Sequence, residues 1–390
     1  MLFRSNEKRI FAINFVLYLV AFISLALAFT QMIPFLIYVG YDPLQRGIIL
    51  STIAFVAFFG QLWSGYLCDR YHTVKRFFGL FWIVFTLSSV LMYYVTSQVF
   101  FFHFIAVSFV GGLFRVTNGL LETWTIETGK KVRDNFGMIR AFGAIGWAIG
   151  APLTSFLVTS FGYQYLGLFM AIAALITYGI ASTLPDAKKV KTEAPLRFSD
   201  IRQLLSHKPY IMLMVIFVLV SVVMTADMYT VIDKILFVGG SNDDVAFKWS
   251  FQAIMELPLF FLGGWMLIKL GSKKILIFSI IFYILRFVLY AIVQTPFLLI
   301  AVSGMQMLTF PLYMIAQKVL IDDETPVHLK STGQMLGMAL FNGVPTFITP
   351  LLAGILVNSL GYDTTLMIFA ISLAVPLILS LAYRPKIKNI

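Results

Sequence analysis

Gly65-Tyr-Leu-Cys-Asp69-Arg70-Tyr-His-Thr-Val-Lys75-Arg76 is a short basic turn set between two long apolar runs. The same layout returns late in the chain as Gly264-Trp-Met-Leu-Ile-Lys269-Leu-Gly271-Ser-Lys-Lys274. In both copies a glycine is followed by a basic residue five positions on and another ten positions on. A repeated basic loop of this kind marks two related halves, and the runs around it show what the halves are made of.

Those runs number twelve. They cover roughly 10–38, 45–67, 76–95, 98–126, 136–160, 163–184, 210–237, 246–268, 275–293, 296–320, 331–359 and 363–383. Each is about 20 residues or longer, enough to cross a hydrocarbon core of about 30 Å as a helix. They lack the ten-residue alternation of a membrane barrel, so the expected class is an all-α membrane protein with twelve transmembrane helices. Composition agrees: 59% hydrophobic residues against 12% charged, with a mean hydropathy of +0.89. A soluble domain carries about twice that share of charge. The first run exceeds a signal-peptide core and lacks a small-residue cleavage site, so it is read as a retained span.

The longest polar stretch, Pro185 to Pro209, divides the spans six and six. The expected organisation is an N-terminal bundle over 1–184, a cytoplasmic linker over 185–209 and a C-terminal bundle over 210–390. The linker holds the Lys188–Lys191 cluster and an amphipathic piece, Phe198–Ser206.

The net charge of +11 is explained by topology. With the N-terminus in the cytoplasm, 23 of the 29 Lys and Arg residues fall on inside segments, and only Arg46 and Lys248 fall outside. This positive-inside asymmetry places both termini in the cytoplasm of a cell-membrane protein and removes the need for a nucleic-acid partner. Cys68 is the single cysteine and excludes an internal disulfide. His72, His103, His207 and His328 are scattered without metal-ligand spacing, and no Walker-type glycine loop is present. No metal, cofactor or enzymatic chemistry is expected.

Ionisable residues stranded inside spans are costly and point to function. Glu122 and Arg140 sit on neighbouring helices joined by a short loop. They admit two readings, a salt bridge snorkelling to the cytoplasmic rim or a buried polar pair. Arg115, seven residues before Glu122 on the same helical face, competes for that carboxylate or meets an anion. Arg286 lies near mid-membrane, where snorkelling is hard. Asp227 precedes Lys234 by seven residues, and the two are expected to neutralise each other unless Asp233 takes the lysine. Gly143, Gly146, Gly150 and Pro152 in the fifth span, and Gly343, Pro345, Pro350 and Gly354 in the eleventh, suit close crossings and bends.

Six spans plus six, with the loop Gly65-x-x-x-Asp69-Arg70-x-x-x-x-Lys75, resembles the major facilitator superfamily. There the loop latches one state of a transporter, which makes Gly65, Asp69, Arg70 and Lys75 a gating loop. His72 stands where the family has a second glycine, and Ile268 where the second copy has its Asp. Glu122, Arg140 eighteen residues on and Trp147 seven further resemble the sugar site of the lactose permease branch, the oligosaccharide:proton symporters. Glu256 and Arg286 match that branch's second charged group. Gln306 and Thr309 stand in place of its His and proton-carrying carboxylate, and Asn342 in place of a Lys that partners the Asp at 227.

The resemblance implies a small-molecule substrate taken from a central cavity by alternating access, a proton as co-substrate, and a monomer in membrane lipid. It implies substrate contacts at Glu122, Arg140, Trp147, Glu256, Arg286, Gln306, Asn342 and Arg115. Glu256, then Asp227, would carry the proton. Sugar uptake is the leading expectation. Proton-linked uptake of an anionic aromatic metabolite or nucleoside stands beside it, favoured by Arg115 and Arg286. Export of lipophilic compounds, suggested by 39 Phe and 17 Met, is the third.

Overall fold

The structure is a computed structural model and describes residues 2–129, 132, 136–187, 204–326 and 330–384. Lys188–Lys191, the start of the amphipathic piece, Lys130, Lys131, Arg133 and the side chain of Asp69 lie outside the described residues.

The described chain is helical: α1 (Leu2–Phe29), α2 (Met32–Val39), α3 (Pro43–Ser51), α4 (Ile53–Tyr71), α5 (Lys75–Tyr94), α6 (Phe100–Thr128), α7 (Phe136–Phe161), α8 (Tyr163–Ser182), α9 (Lys208–Phe237), α10 (Asn242–Leu270), α11 (Ser272–Ile292), α12 (Pro296–Ser303), α13 (Gln306–Glu324), α14 (Lys330–Ser372) and α15 (Ala374–Ala382). Ten segments among the described residues are long and apolar enough to cross a membrane. The last, Leu336–Ala382, holds two spans, because Gly361 at φ 79° interrupts it. The 29 residues of α10 reach roughly 43 Å at 1.5 Å each and supply the eighth crossing.

Several spans are built of two helices, and local chemistry says why. Pro34 cannot donate to the carbonyl of Thr30, so the first span breaks between α1 and α2. In the second, the hydroxyls of Ser51 and Thr52 bond back to the carbonyls of Ile48 (2.7 Å) and Ile49 (2.6 Å), loosening the helix between α3 and α4. Asp42 starts α3 cleanly, accepting from the Gln45 amide at 2.8 Å in a capping box ahead of Pro43.

The chain divides into two compact units. One comprises Met1–Lys191 with Gly240–Ile254, the other Thr192–Gly239 with Met255–Ile390. The first half of α10 therefore packs with the first unit. Ser250 donates to the carbonyl of Ala148 (2.8 Å) and Ser155 to Asp243 (2.6 Å), while the Asn242 amide reaches the Tyr163 hydroxyl at 3.2 Å.

In the first unit α1 and α7 cross at backbone contact. A Cβ on Gly146 would collide with the carbonyl oxygen of Leu19, and one on Gly150 with Ala26. Small residues at this crossing match the sequence reading. Two other glycines do not. Among the described residues nothing lies within 4 Å of a Cβ placed on Gly65 or Gly343.

The turn after α4 is held from a distance. His72 closes α4 in the left-handed region (φ 52°), and at the start of α5 the Thr73 hydroxyl caps the Arg76 N–H (3.3 Å), while the amides of Val74 and Lys75 have no local acceptor among the described residues. Asp186 supplies one. Its carboxylate accepts from the backbone N–H of Val74 (3.0 Å) and Lys75 (2.9 Å) and from the Thr73 hydroxyl. The Lys75 ammonium in turn caps the carbonyls of Ser182 (2.6 Å) and Leu184 (2.7 Å) at the end of α8. Burial pushes the Asp186 carboxyl up, but the Thr73 hydroxyl and the amides of Lys75, Ala187 and Val74 outweigh it and hold the group below the usual carboxylate range. Arg70 points away, donating to the Tyr66 hydroxyl at 2.9 Å.

Candidate functional site

Polar groups gather at one place in each unit. In the first, Arg140 on α7 donates one hydrogen bond from Nε to Glu122 on α6, at 3.3 Å. The Asn118 amide reaches the same oxygen at 3.4 Å from one turn earlier on α6. The Arg140 guanidinium lies 4.5 Å from the centre of the Phe22 ring. Both charged side chains stay open, 40% exposed for Arg140 and 35% for Glu122. Each therefore keeps bonding capacity: Arg140 has four further N–H groups and Glu122 a second oxygen. Asn118 Oδ1 is buried with no donor among the described residues.

Seven residues beyond Arg140, about 10 Å along α7, stands Trp147. Its ring meets Phe114 of α6 at 5.9 Å, Phe29 of α1 at 6.2 Å and Trp249 of α10 at 5.8 Å. Phe29 also stacks on Phe114 at 4.8 Å, so four rings form one box. α6 and α7 thus carry two rungs, an acid–base pair at one level and an aromatic group at the other. Arg115 lies on the same half-exposed face as Phe114, Asn118 and Glu122, and makes no hydrogen bond or ion pair among the described residues. Arg140 took the Glu122 carboxylate, and Arg115 did not compete for it.

The second unit holds a denser cluster. Arg286 on α11 is fully buried, and its donors are saturated. Nη2 pairs with Asp227 on α9 at 3.1 Å and shares the Tyr290 hydroxyl with Nε, at 3.0 and 3.2 Å. Nη1 bonds Thr309 at 3.1 Å and the Gln306 side-chain oxygen, both on α13. Gln306 passes the chain on, its amide nitrogen donating to Glu256 on α10 at 2.8 Å. The orientation of that amide is forced. Arg286 can only donate, so it takes the Gln306 oxygen, which leaves the NH₂ for Glu256. A carboxyl C=O accepts that bond whether Glu256 is ionised or protonated.

One sequence expectation changes here. Asp227 is paired with Arg286, not with Lys234. Seven residues along one helix separate the two by about 10 Å, beyond contact. Lys234 is buried and meets Asp363 at 2.7 Å, donating also to the carbonyls of Tyr290 (2.6 Å) and Ala291 (3.1 Å). Glu256 does not touch Arg286 directly, because Gln306 stands between them. Asn342 is exposed and joins none of these bonds; its carbonyl accepts from Thr346 at 2.6 Å.

Sequence reasoning passed over Tyr290, Asn118, Phe29, Phe114 and Trp249. The signal for Tyr290 and Asn118 was available, since each stands one turn from a charged residue on its own helix. The aromatic box had none, because phenylalanine is everywhere in this chain.

The pattern of the MFS_1 like family matches residues 13–370. This chain belongs to that family, within the major facilitator superfamily. It is a multi-pass membrane protein of a transporter family that handles small molecules. It is 24% identical to the sucrose permease of Escherichia coli over 361 residues, 86% of this chain and 83% of that protein. It is also 24% identical, over 231 residues, to NiaP of Bacillus subtilis, which is named as a niacin/nicotinamide transporter; that match spans 57% of each protein. Among solved structures, the D323A mutant of the nucleoside transporter NupG superposes with a TM-score of 0.85 at 18% identity, covering 96% of this chain and 99% of that one. At that identity the likeness speaks for the fold alone.

Proposed function

We propose that this protein is a proton-coupled symporter that takes up a hydroxyl-rich, ring-bearing solute, a sugar or glycoside, by alternating access. The observation that carries the reading is the single long bond between Glu122 and Arg140. A carboxylate and a guanidinium joined so sparingly have acceptors and donors left for neighbouring hydroxyls. The bare Asn118 oxygen asks for one more hydroxyl donor, and Trp147 offers a flat apolar face for a pyranose ring. The sucrose permease match favours the same class.

A second reading, a nucleoside, is favoured by one observation. The four-ring box can stack a base while Glu122 and Arg140 take the ribose hydroxyls.

The proton is assigned to Glu256. Its bond to Gln306 survives protonation, so it can lose its charge without losing its place. Asp227 is paired with buried Arg286 and follows as second carrier only if that pair parts. In this scheme Arg286 and Gln306 hold Asp227 and Glu256 in place. The turn of Gly65, Asp69, Arg70 and Lys75 serves as the gating element. The protein works as a monomer in the cell membrane with both termini cytoplasmic.

Uptake of radiolabelled sucrose and uridine into proteoliposomes under an imposed pH gradient tests the reading. Accumulation should follow the gradient for one of them, and Arg140→Ala should remove it. Uptake indifferent to the gradient would sink proton coupling. Labelling from outside of a cysteine at Ser241, in a Cys68→Ser background, checks the orientation.

A further inference from the structure

Arg115 sits midway along α6, roughly 20 Å from either end at 1.5 Å per residue. Its side chain cannot snorkel that far to water at a membrane surface. It is half-buried, and no described residue offers it an acceptor. A guanidinium at that depth without a carboxylate is costly, and such residues face a polar path when they are kept. Glu122 does not meet this need, being engaged by Arg140 and Asn118.

Two more observations lie on the same unit. Phe114, beside Arg115 in sequence, is a wall of the aromatic box. Trp249, another wall and 8% exposed, has an indole N–H buried with no acceptor among the described residues. A cation, a buried donor and four rings in one region describe a ligand with an anionic group and a ring.

We infer that the solute carries a carboxylate, that Arg115 receives it, and that the ring attached to it lies against Phe114 and Trp147. The inference rests on the first unit's polar face being the substrate site, as proposed above, and adds the charge of the substrate. Carboxylate is preferred to phosphate by charge balance. Arg115 and Arg140 against Glu122 leave one positive charge in excess, which a monoanion cancels and a phosphate dianion overshoots. The planar guanidinium also matches a carboxylate in a two-point contact.

The test compares twins that differ only at the acid: phenyl β-D-glucuronide against phenyl β-D-glucoside, and benzoate against benzamide. Binding to the purified full chain is measured by titration calorimetry. In the wild type the acid of at least one pair should bind about 10- to 100-fold tighter than its neutral twin, the worth of one charge-assisted hydrogen bond. Arg115→Gln should erase that preference, and Arg115→Lys should retain part of it. Arg140→Ala should instead weaken both glycosides together. The melting temperature of ligand-free Arg115→Gln should stay level or rise, since an uncompensated charge has been removed. Equal binding of the twins, no binding by any of the four, a preference that survives Arg115→Gln, or a fall in melting temperature like that of Arg286→Ala would each overturn the inference. The glycoside reading fails separately, if benzoate binds through Arg115 while neither glycoside binds at all.

Discussion

Arg140 and Arg286 are both span arginines facing carboxylates, and they are held in opposite ways. Arg286 is sealed from solvent and gives its donors to Asp227, Tyr290, Thr309 and Gln306. Arg140 is 40% exposed and gives one bond, 3.3 Å long, to Glu122. A saturated buried network resists being opened, whereas a sparse exposed pair accepts a newcomer at small cost. The difference separates the group that holds a bundle together from the group ready for a ligand, although both read as a charge in a membrane.

The sharpest way to break the comparison is Arg286→Ala. It strands the Asp227 charge in the interior and should cost about 3–5 kcal/mol, read as a large drop in thermal stability of the purified protein. Replacing Asp227 by Asn in the same chain should recover much of that loss without restoring transport. If Arg286→Ala melts like the wild type, the saturated network is not what holds the second unit.

Arg140→Ala should show the reverse profile. The pair is more than a third exposed, so its stability cost should stay within about 1 kcal/mol. Substrate affinity should fall about 10- to 100-fold, measured by equilibrium binding. A melting shift as large as that of Arg286→Ala would erase the distinction between the clusters.

Glu256→Gln sharpens the division within the second cluster. The variant keeps an acceptor for Gln306, so the fold and substrate exchange across proteoliposomes should persist while the response to a pH gradient disappears. A gradient response that persists moves the proton to Asp227 or elsewhere.

The smallest effect belongs to the turn between α4 and α5. Asp186→Asn should cost about 1 kcal/mol, the ordinary worth of a helix cap. The cost should depend on pH in a definite sense. The folded carboxyl titrates below its unfolded value, so its stabilisation is complete above the usual Asp range near 3.9 and is lost as pH falls through the lower folded value. Melting curves of wild type and variant should therefore converge on acidification, and a constant gap across pH would count against the charged cap.

The spans were legible because run length against bilayer thickness is a one-dimensional question, and the twelve runs return with ends shifted by a few residues. The Glu122–Arg140 pair was legible because a short loop makes its two helices neighbours. Partners brought together by helix order in space were not. Lys234 finds Asp363 on a helix far along the chain, and Asp227 goes to Arg286 although a lysine stood closer in sequence. Periodicity tells which face of a helix a residue occupies and says nothing of which helix faces it. The sparse bond of Arg140, and the want of an acceptor for Arg115 among the described residues, are likewise facts of distance, and residue types do not contain them.

The distant cap on α5 has a consequence for the order in which the protein is made. Val74 and Lys75 leave the ribosome with no partner for their amides, and the carboxylate that serves them is 111 residues further along from Lys75. At about 5–20 residues per second of synthesis, that is a delay on the order of 5–20 s. Throughout that interval the third span has been released without its anchor. The first six spans can therefore finish this stitching only when the sixth has emerged, which makes residue 186 a checkpoint in assembly as much as a link in the finished fold.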